Sequence, residues 1–376
     1  MRRRRSKGLK SACAAAAAIA VLGASCQMIS AAACPLPQST VDGIRALVAQ
    51  YIEDDISPGL LLGIRCGDSY WIEAFGVSDI STGAPLEATH QFLIGSIAKQ
   101  MVAAAVMRLV EDGRLSLESP ISDYVQHLRD TWAGITVRQC LNHTSGTFSF
   151  AGLPVDTGSG ALTAEAVIGF ITSGRLSFPP GEDHLYSTVG YFILAYIVEQ
   201  ITGEPIDMYI ERHFLEPLGM TETGFLKGRA PETLAGYHQH YWKGQAFYTE
   251  PPTTSWGLAD GMYSTAADLF TWQVALASGE VVSESSWALM TQRTVTQSSD
   301  GIAATHDYGF GLEVHVGEDG EISEVGHWGN GGGHICFLAE YPTEDIALLA
   351  LQNSNGRLAP LLEDIKAVLF NADSEG

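Results

Sequence analysis

Strand-forming patterns are confined to the two ends of this chain, and that confinement limits the folds open to it. Residues 60–66 and 70–75 are apolar runs joined by the turn-rich Gly67-Asp68-Ser69, and comparable runs return only at 308–315, 334–341 and 346–351. Ahead of the first pair, residues 39–54 place Val41, Ile44, Leu47, Val48 and Tyr51 on one helical face. The last segment does the same with Leu358, Leu361, Leu362, Ile365 and Val368. Residues 96 to about 250 read as mostly helical, punctuated at Pro179-Pro180-Gly181 and Glu204-Pro205; Thr265-Ala266-Ala267-Asp268 opens a further helix with a capping box. One antiparallel sheet built from both chain ends satisfies this order, with the terminal helices covering it and a helical insertion beside it. The expected class is α/β (α+β), with an α/β part at about 34–95 and 256–376 and a helical part at about 96–255. The seam between them is a natural cleft.

The start of the chain stands apart from this pattern. Arg2 to Arg5, Lys7 and Lys10 form a basic region, residues 11–25 are alanine-rich and apolar, and Ala31-Ala32-Ala33 offers a cleavage site. Residues 1–33 therefore read as an export signal peptide, and 34–376 as the folded domain, periplasmic or secreted. The apolar stretch is shorter than the ~20 residues of a spanning helix, so no transmembrane segment is expected. Cys26 and Cys34 each follow small residues and open the alternative of a lipid anchor, although the leucine of the usual lipidation box is missing three positions before either. The net charge of −22 disfavours nucleic acid and anionic membranes as partners. Cys34, Cys66, Cys140 and Cys336 have no metal-ligand spacing, and Cys66 and Cys336, in apolar runs, read as buried free thiols.

Ser96 falls at the predicted seam, where 91–95 gives way to the helical pattern Ile97, Met101, Ala105, Leu109. Lys99 follows at i+3, on the same helical face, so its amine can lie beside the serine hydroxyl and take its proton. A four-residue match is weak evidence alone, since an N-cap serine and a solvated lysine give the same spacing. Tyr186 leaves a Pro-Gly turn and enters a helix at 189–201; beside a lysine its phenol pKa should fall, which makes it a candidate proton shuttle. Near the C-terminus stands Gly326-His327-Trp328-Gly329-Asn330-Gly331-Gly332-Gly333-His334, whose glycines admit close backbone approach and whose N–H groups suit an oxyanion. No helix follows it, so a nucleotide site is not expected.

With these motifs in order, the chain resembles the penicillin-recognising serine hydrolases: class C β-lactamases, DD-peptidases, D-aminopeptidases and related carboxylesterases. The likeness extends to Leu141-Asn142-His143-Thr144-Ser145-Gly146, Glu216-Pro217-Leu218-Gly219-Met220 and Ser264-Thr265-Ala266-Ala267-Asp268-Leu269. It implies a β-lactamase/transpeptidase-like fold and an acyl-enzyme mechanism without cofactor or metal. By resemblance Ser96 is the nucleophile, Lys99 its proton partner and Tyr186 the general base. The backbone N–H groups of Ser96 and Asn330 form the oxyanion hole, and Thr188, His327, Trp328, Gly329 and Asn330 line the substrate site.

Two departures bear on the substrate. Thr188 stands where most relatives carry asparagine, and His327-Trp328 stand where a lysine and a threonine or serine usually bind a carboxylate. Losing a charge-assisted hydrogen bond there costs about 1.5–3 kcal/mol of carboxylate binding. The expected substrate is thus a small ester or peptide amide, with an esterase-like or D-amino-acid peptide hydrolase activity. A true β-lactamase or DD-carboxypeptidase is the alternative, and a non-catalytic binding or scaffolding member of the fold is another. His238-Gln239-His240 alternates as metal ligands do but lacks a third ligand, so no metal is expected; His143 reads as a structural loop residue.

Overall fold

A computed structural model describes residues 36–54, 56–148, 168–169, 171–226, 238–242, 245–248, 261–297 and 303–371, with backbone only for 238–242, 245–248, 297, 303 and 371. The export signal expected at 1–33, with Cys26, and Cys34, the other position considered for a lipid anchor, lie outside the described residues, as do the side chains of His238 and His240.

The two chain ends do meet in one sheet. Its strands are β1 (Gly59–Cys66), β2 (Ser69–Asp79), β3 (Ala84–Pro85), β4 (Glu313–Val316), β5 (Ile322–Gly331), β6 (His334–Tyr341) and β7 (Ile346–Gln352). Their spatial order is β4-β5-β6-β7-β1-β2-β3, antiparallel throughout. The join is β7 on β1, running from Leu60 opposite Gln352 to Cys66 opposite Ile346. Both strands are continuously apolar because helices cover both faces. Leu60, Leu62 and Ile64 pack under the terminal helices α1 (Gln38–Glu53) and α6 (Leu358–Asn371), beside Ile44, Val48, Leu362 and Ile365. Leu61, Leu349 and Leu351 face the opposite way, into the core shared with the helical part.

That core is threaded by α2 (Lys99–Glu111), whose residues from Lys99 to Met107 are all buried. A helix apolar on nearly every side belongs at the centre of a packed unit: α3 (Val137–Leu141) packs on α4 (Thr188–Thr202), α4 packs on α2, and Trp272 Nε1 of α5 (Ala266–Ala277) donates to Gln100 Oε1. The expected Thr265 cap is present, its hydroxyl accepting from Asp268 N.

Three expectations need correction. The region from 96 to about 250 is less helical than expected: it is interrupted by the strand Gly224–Phe225, which pairs with Met262–Ser264 in a small sheet completed by Phe92–Leu93, and by a hairpin of His238–Trp242 with Gln245–Tyr248. Strands of two or three residues are too short to show a period. The strand expected from Tyr308 begins only at Glu313, because Gly309 N folds back to Leu312 O and Gly311 adopts a φ of +72°. A side chain at Gly311 would stand 2.8 Å from Lys99 O, so this bend seats the chain against the first turn of α2. Finally, Cys66 is disulfide-bonded rather than a free thiol, whereas Cys140 and Cys336 are free and buried. Cys66 sits at the end of β1 and is not fully buried, which leaves its sulfur reachable.

Candidate active site

Ser96 stands on a 3-10 turn, Gly95–Ala98, that runs directly into α2. The turn is pressed against β5 backbone to backbone. Gly95 has a φ of +51° and a Cβ there would lie 2.6 Å from Asn330 N; one on Gly329 would lie 2.0 Å from Ile94 O. These glycines are what allow the Ser96 and Asn330 backbones to lie side by side. The approach to Ser96 is pinned from β6, where His334 Nδ1 accepts from Leu93 N at 2.8 Å and Cys336 Sγ donates to Leu93 O at 3.4 Å.

Lys99 opens α2, and its Nζ lies 2.9 Å from Ser96 Oγ. The amine is buried, 5.0 Å from the centre of the Tyr186 ring and 5.7 Å from that of Tyr191. Tyr186 precedes Ser187, the N-cap of α4, whose hydroxyl accepts from Gly190 N and Thr147 Oγ1 and donates to Phe148 O. Ser187 N donates in turn to His143 Nδ1 at 3.1 Å. His143 is fully buried and its ring lies 4.4 Å from those of Tyr186 and Tyr308. The Leu141–Gly146 loop therefore fixes the angle at which Tyr186 enters the site, and His143 acts as a structural loop residue there.

The Tyr186 phenol is raised above its ordinary pKa, not lowered. Burial is the largest cause; the Ser96 hydroxyl pulls it down and the Glu313 charge pushes it further up. Desolvation outweighs the help of the Ser96 hydroxyl. Although Ser96 is near enough to influence it, the Tyr186 oxygen is buried without a hydrogen-bond partner of good geometry. The group is a phenol, ready to give a proton before it takes one.

His327 is likewise neutral. Burial, followed by the Lys99 charge, lowers its pKa to about 3. Its Nδ1 faces the Trp328 carbonyl, which can only accept, so Nδ1 holds the ring hydrogen and Nε2 accepts from Tyr308 Oη at 3.0 Å. The Trp328 indole packs on Phe337, ring centres 4.7 Å apart. Thr188, expected to line the substrate site, is the first residue of α4, two positions past Tyr186, and is not among the residues that wall the cavity.

A cavity of about 570 Å³ opens over Ser96 and is walled by Tyr186, His327, Trp328, Gly329 and Asn330, the residues read from sequence. Three further groups were not anticipated. Tyr308 holds His327, Glu313 lines the same wall, and Arg357, just before α6, stands on the rim. None lies in a motif; only the glycine bend between Tyr308 and Glu313 hints that this stretch turns toward the site.

A serine and an amine in contact, a buried phenol and a glycine-lined strand, on a sheet closed by both chain ends, make up a β-lactamase-like fold with its cleft over Ser96. The family profile "Beta-lactamase" matches residues 44–372, and the chain belongs to that family. It is 28% identical over 265 residues to PbpX of Bacillus subtilis (strain 168), provisionally described as a penicillin-binding protein; the match covers 70% of this chain and 64% of that one. The chain thus spans just under two thirds of that relative's length. Among solved structures, the octameric penicillin-binding protein homologue from Pyrococcus abyssi is similar at a TM-score of 0.76, with 26% identity over 88% of this chain and 77% of that one. D-amino acid amidase from Ochrobactrum anthropi SV3 shares the fold at a TM-score of 0.74, with 22% identity over 89% of this chain and 99% of that one.

Proposed function

We propose that this protein hydrolyses a small ester or amide through an acyl intermediate on Ser96. The observation that carries the reading is the 2.9 Å contact between Lys99 Nζ and Ser96 Oγ inside a buried, aromatic-walled corner of the cavity. In its neutral form the amine takes the serine proton as Oγ attacks the carbonyl. The N–H groups of Ser96 and Asn330 receive the developing oxyanion. Tyr186, a phenol at neutral pH, hands its proton to the leaving group, and the phenolate it becomes then activates the deacylating water.

The acceptor wall favours an uncharged carbonyl neighbour. His327 is neutral, and Trp328 directs its ring to Phe337, so the positions that bind a carboxylate in relatives offer none of the usual charge. A short-chain aryl ester should give a burst of phenol followed by steady turnover, and Ser96→Ala should abolish both. Undiminished turnover in that variant would rule the reading out.

One observation favours a second substrate class. Arg357 is exposed on the rim and could hold a carboxylate from beyond Trp328, as a β-lactam or a peptide C-terminus would need. Mass spectrometry after incubation with a penicillin separates the two: a stable or turning-over adduct on Ser96 supports the β-lactamase or DD-peptidase reading. The basic leader and the bonded Cys66 support export to an oxidising compartment, periplasmic or extracellular. A mature N-terminus just after Ala33, without a lipid mass at Cys34, is the expected result of sequencing the exported protein.

A further inference from the structure

Glu313 is a carboxylate in the wall of the cavity over Ser96, without a lysine or arginine bonded to it among the described residues. It opens β4, opposite Gly326 of β5, and lines the cavity together with Ser96 and Tyr186. The side chain is only 28% exposed. It accepts from the backbone N–H of Trp328 and lies 3.8 Å from the uncharged His327 Nδ1; His315, two residues along β4, favours its charged form and Glu324 opposes it. Among the described residues no lysine or arginine pairs with it. A desolvated carboxylate satisfied by one amide hydrogen is costly to keep, and burial accordingly raises its pKa.

Resting on the acyl-enzyme reading above, we propose that Glu313 is the specificity-determining residue of this site, and that it selects esters or amides bearing a positively charged ammonium group. An ammonium within the cavity supplies the missing partner, and its attraction to the carboxylate is strengthened by the low local dielectric. The same charge repels an anionic substrate group. Where relatives present a cation to a carboxylate, this wall presents an anion and a neutral ring.

Two shape-matched esters test this: 4-nitrophenyl 4-(trimethylammonio)butanoate and its uncharged isostere, 4-nitrophenyl 5,5-dimethylhexanoate. Their kcat/KM ratio, divided by the ratio of their spontaneous hydrolysis rates, should exceed one by about tenfold or more and shrink in high salt. Glu313→Gln keeps an acceptor for Trp328 N–H and removes the charge; in that variant the corrected ratio should fall to about one. A corrected ratio near one in the wild type, or one unchanged by Glu313→Gln, overturns the proposal. Should Glu313→Gln fail to fold, the wild-type ratio and its salt dependence decide alone. If neither ester acylates Ser96, the hydrolase reading fails separately. Calorimetric binding of 4-(trimethylammonio)butanamide to wild type and Glu313→Gln then decides the matter: tenfold weaker binding in the variant sustains the site, and equal binding removes it.

Discussion

Tyr186→Phe should make this protein more stable and far less active. The Tyr186 oxygen is buried without a hydrogen-bond partner of good geometry, so the folded state bears the cost of an unanswered hydroxyl. That cost is typically about 1–3 kcal/mol, and the low end applies here because the Ser96 hydroxyl still faces the phenol. Phenylalanine keeps the ring contacts with His143 and Tyr308, so removal of the oxygen should raise stability by about 1 kcal/mol. The same oxygen is the proton carrier of the proposed mechanism, and its loss should lower kcat/KM by about 10²–10⁴-fold. Urea unfolding gives the first quantity, as a higher midpoint at an unchanged slope. Initial rates on an alkyl ester or an amide, whose leaving group must be protonated to depart, give the second. A destabilised variant would show that the hydroxyl is satisfied after all; an active one would show that Tyr186 moves no proton.

Gly95→Ala forces a side chain onto a φ of +51° and to within 2.6 Å of Asn330 N. It should therefore prise the two oxyanion N–H groups apart and cost about 10²–10³-fold in kcat, with esterase assays as the check. Acid should weaken the fold before the ordinary carboxylates protonate. His327 and His184 are held at about 3 and about 4, and His143 lies well below 6.5, all chiefly through burial. Between about 6.5 and about 4 the unfolded chain binds protons that the folded one refuses, so stability must fall as pH drops through that window. Urea midpoints at pH 7, 6 and 5 should decrease in that order, and a flat series would contradict the burial of these rings.

The sheet was legible because its strands are long and apolar on both sides of the join, as β1 and β7 are. The terminal helices were legible because their apolar faces repeat at the helical period. The Ser96-Lys99 spacing and the glycines of β5 were likewise local signals with a direct structural meaning. What escaped reading depends on neighbours distant in sequence. The phenol of Tyr186 is raised because burial and the Glu313 charge exceed the influence of the Ser96 hydroxyl, and no spacing reveals how dry a site will be. Glu313 and Tyr308 reach the cavity only through the bend at Gly311, which was hidden inside a run that reads as strand. Arg357 arrives from the far end of the chain. The bonded state of Cys66 was also illegible: an apolar strand suggests a buried thiol, but its position at the strand end leaves the sulfur able to pair.

The central claim is that Ser96 becomes acylated. Rapid quenching during turnover of a 4-nitrophenyl ester, followed by intact-mass and peptide mass spectrometry, tests it directly. The account predicts a mass increase equal to one acyl group, confined to the peptide containing Ser96, appearing with the burst and absent from Ser96→Ala. An adduct on another residue, or turnover that persists in Ser96→Ala, would contradict it.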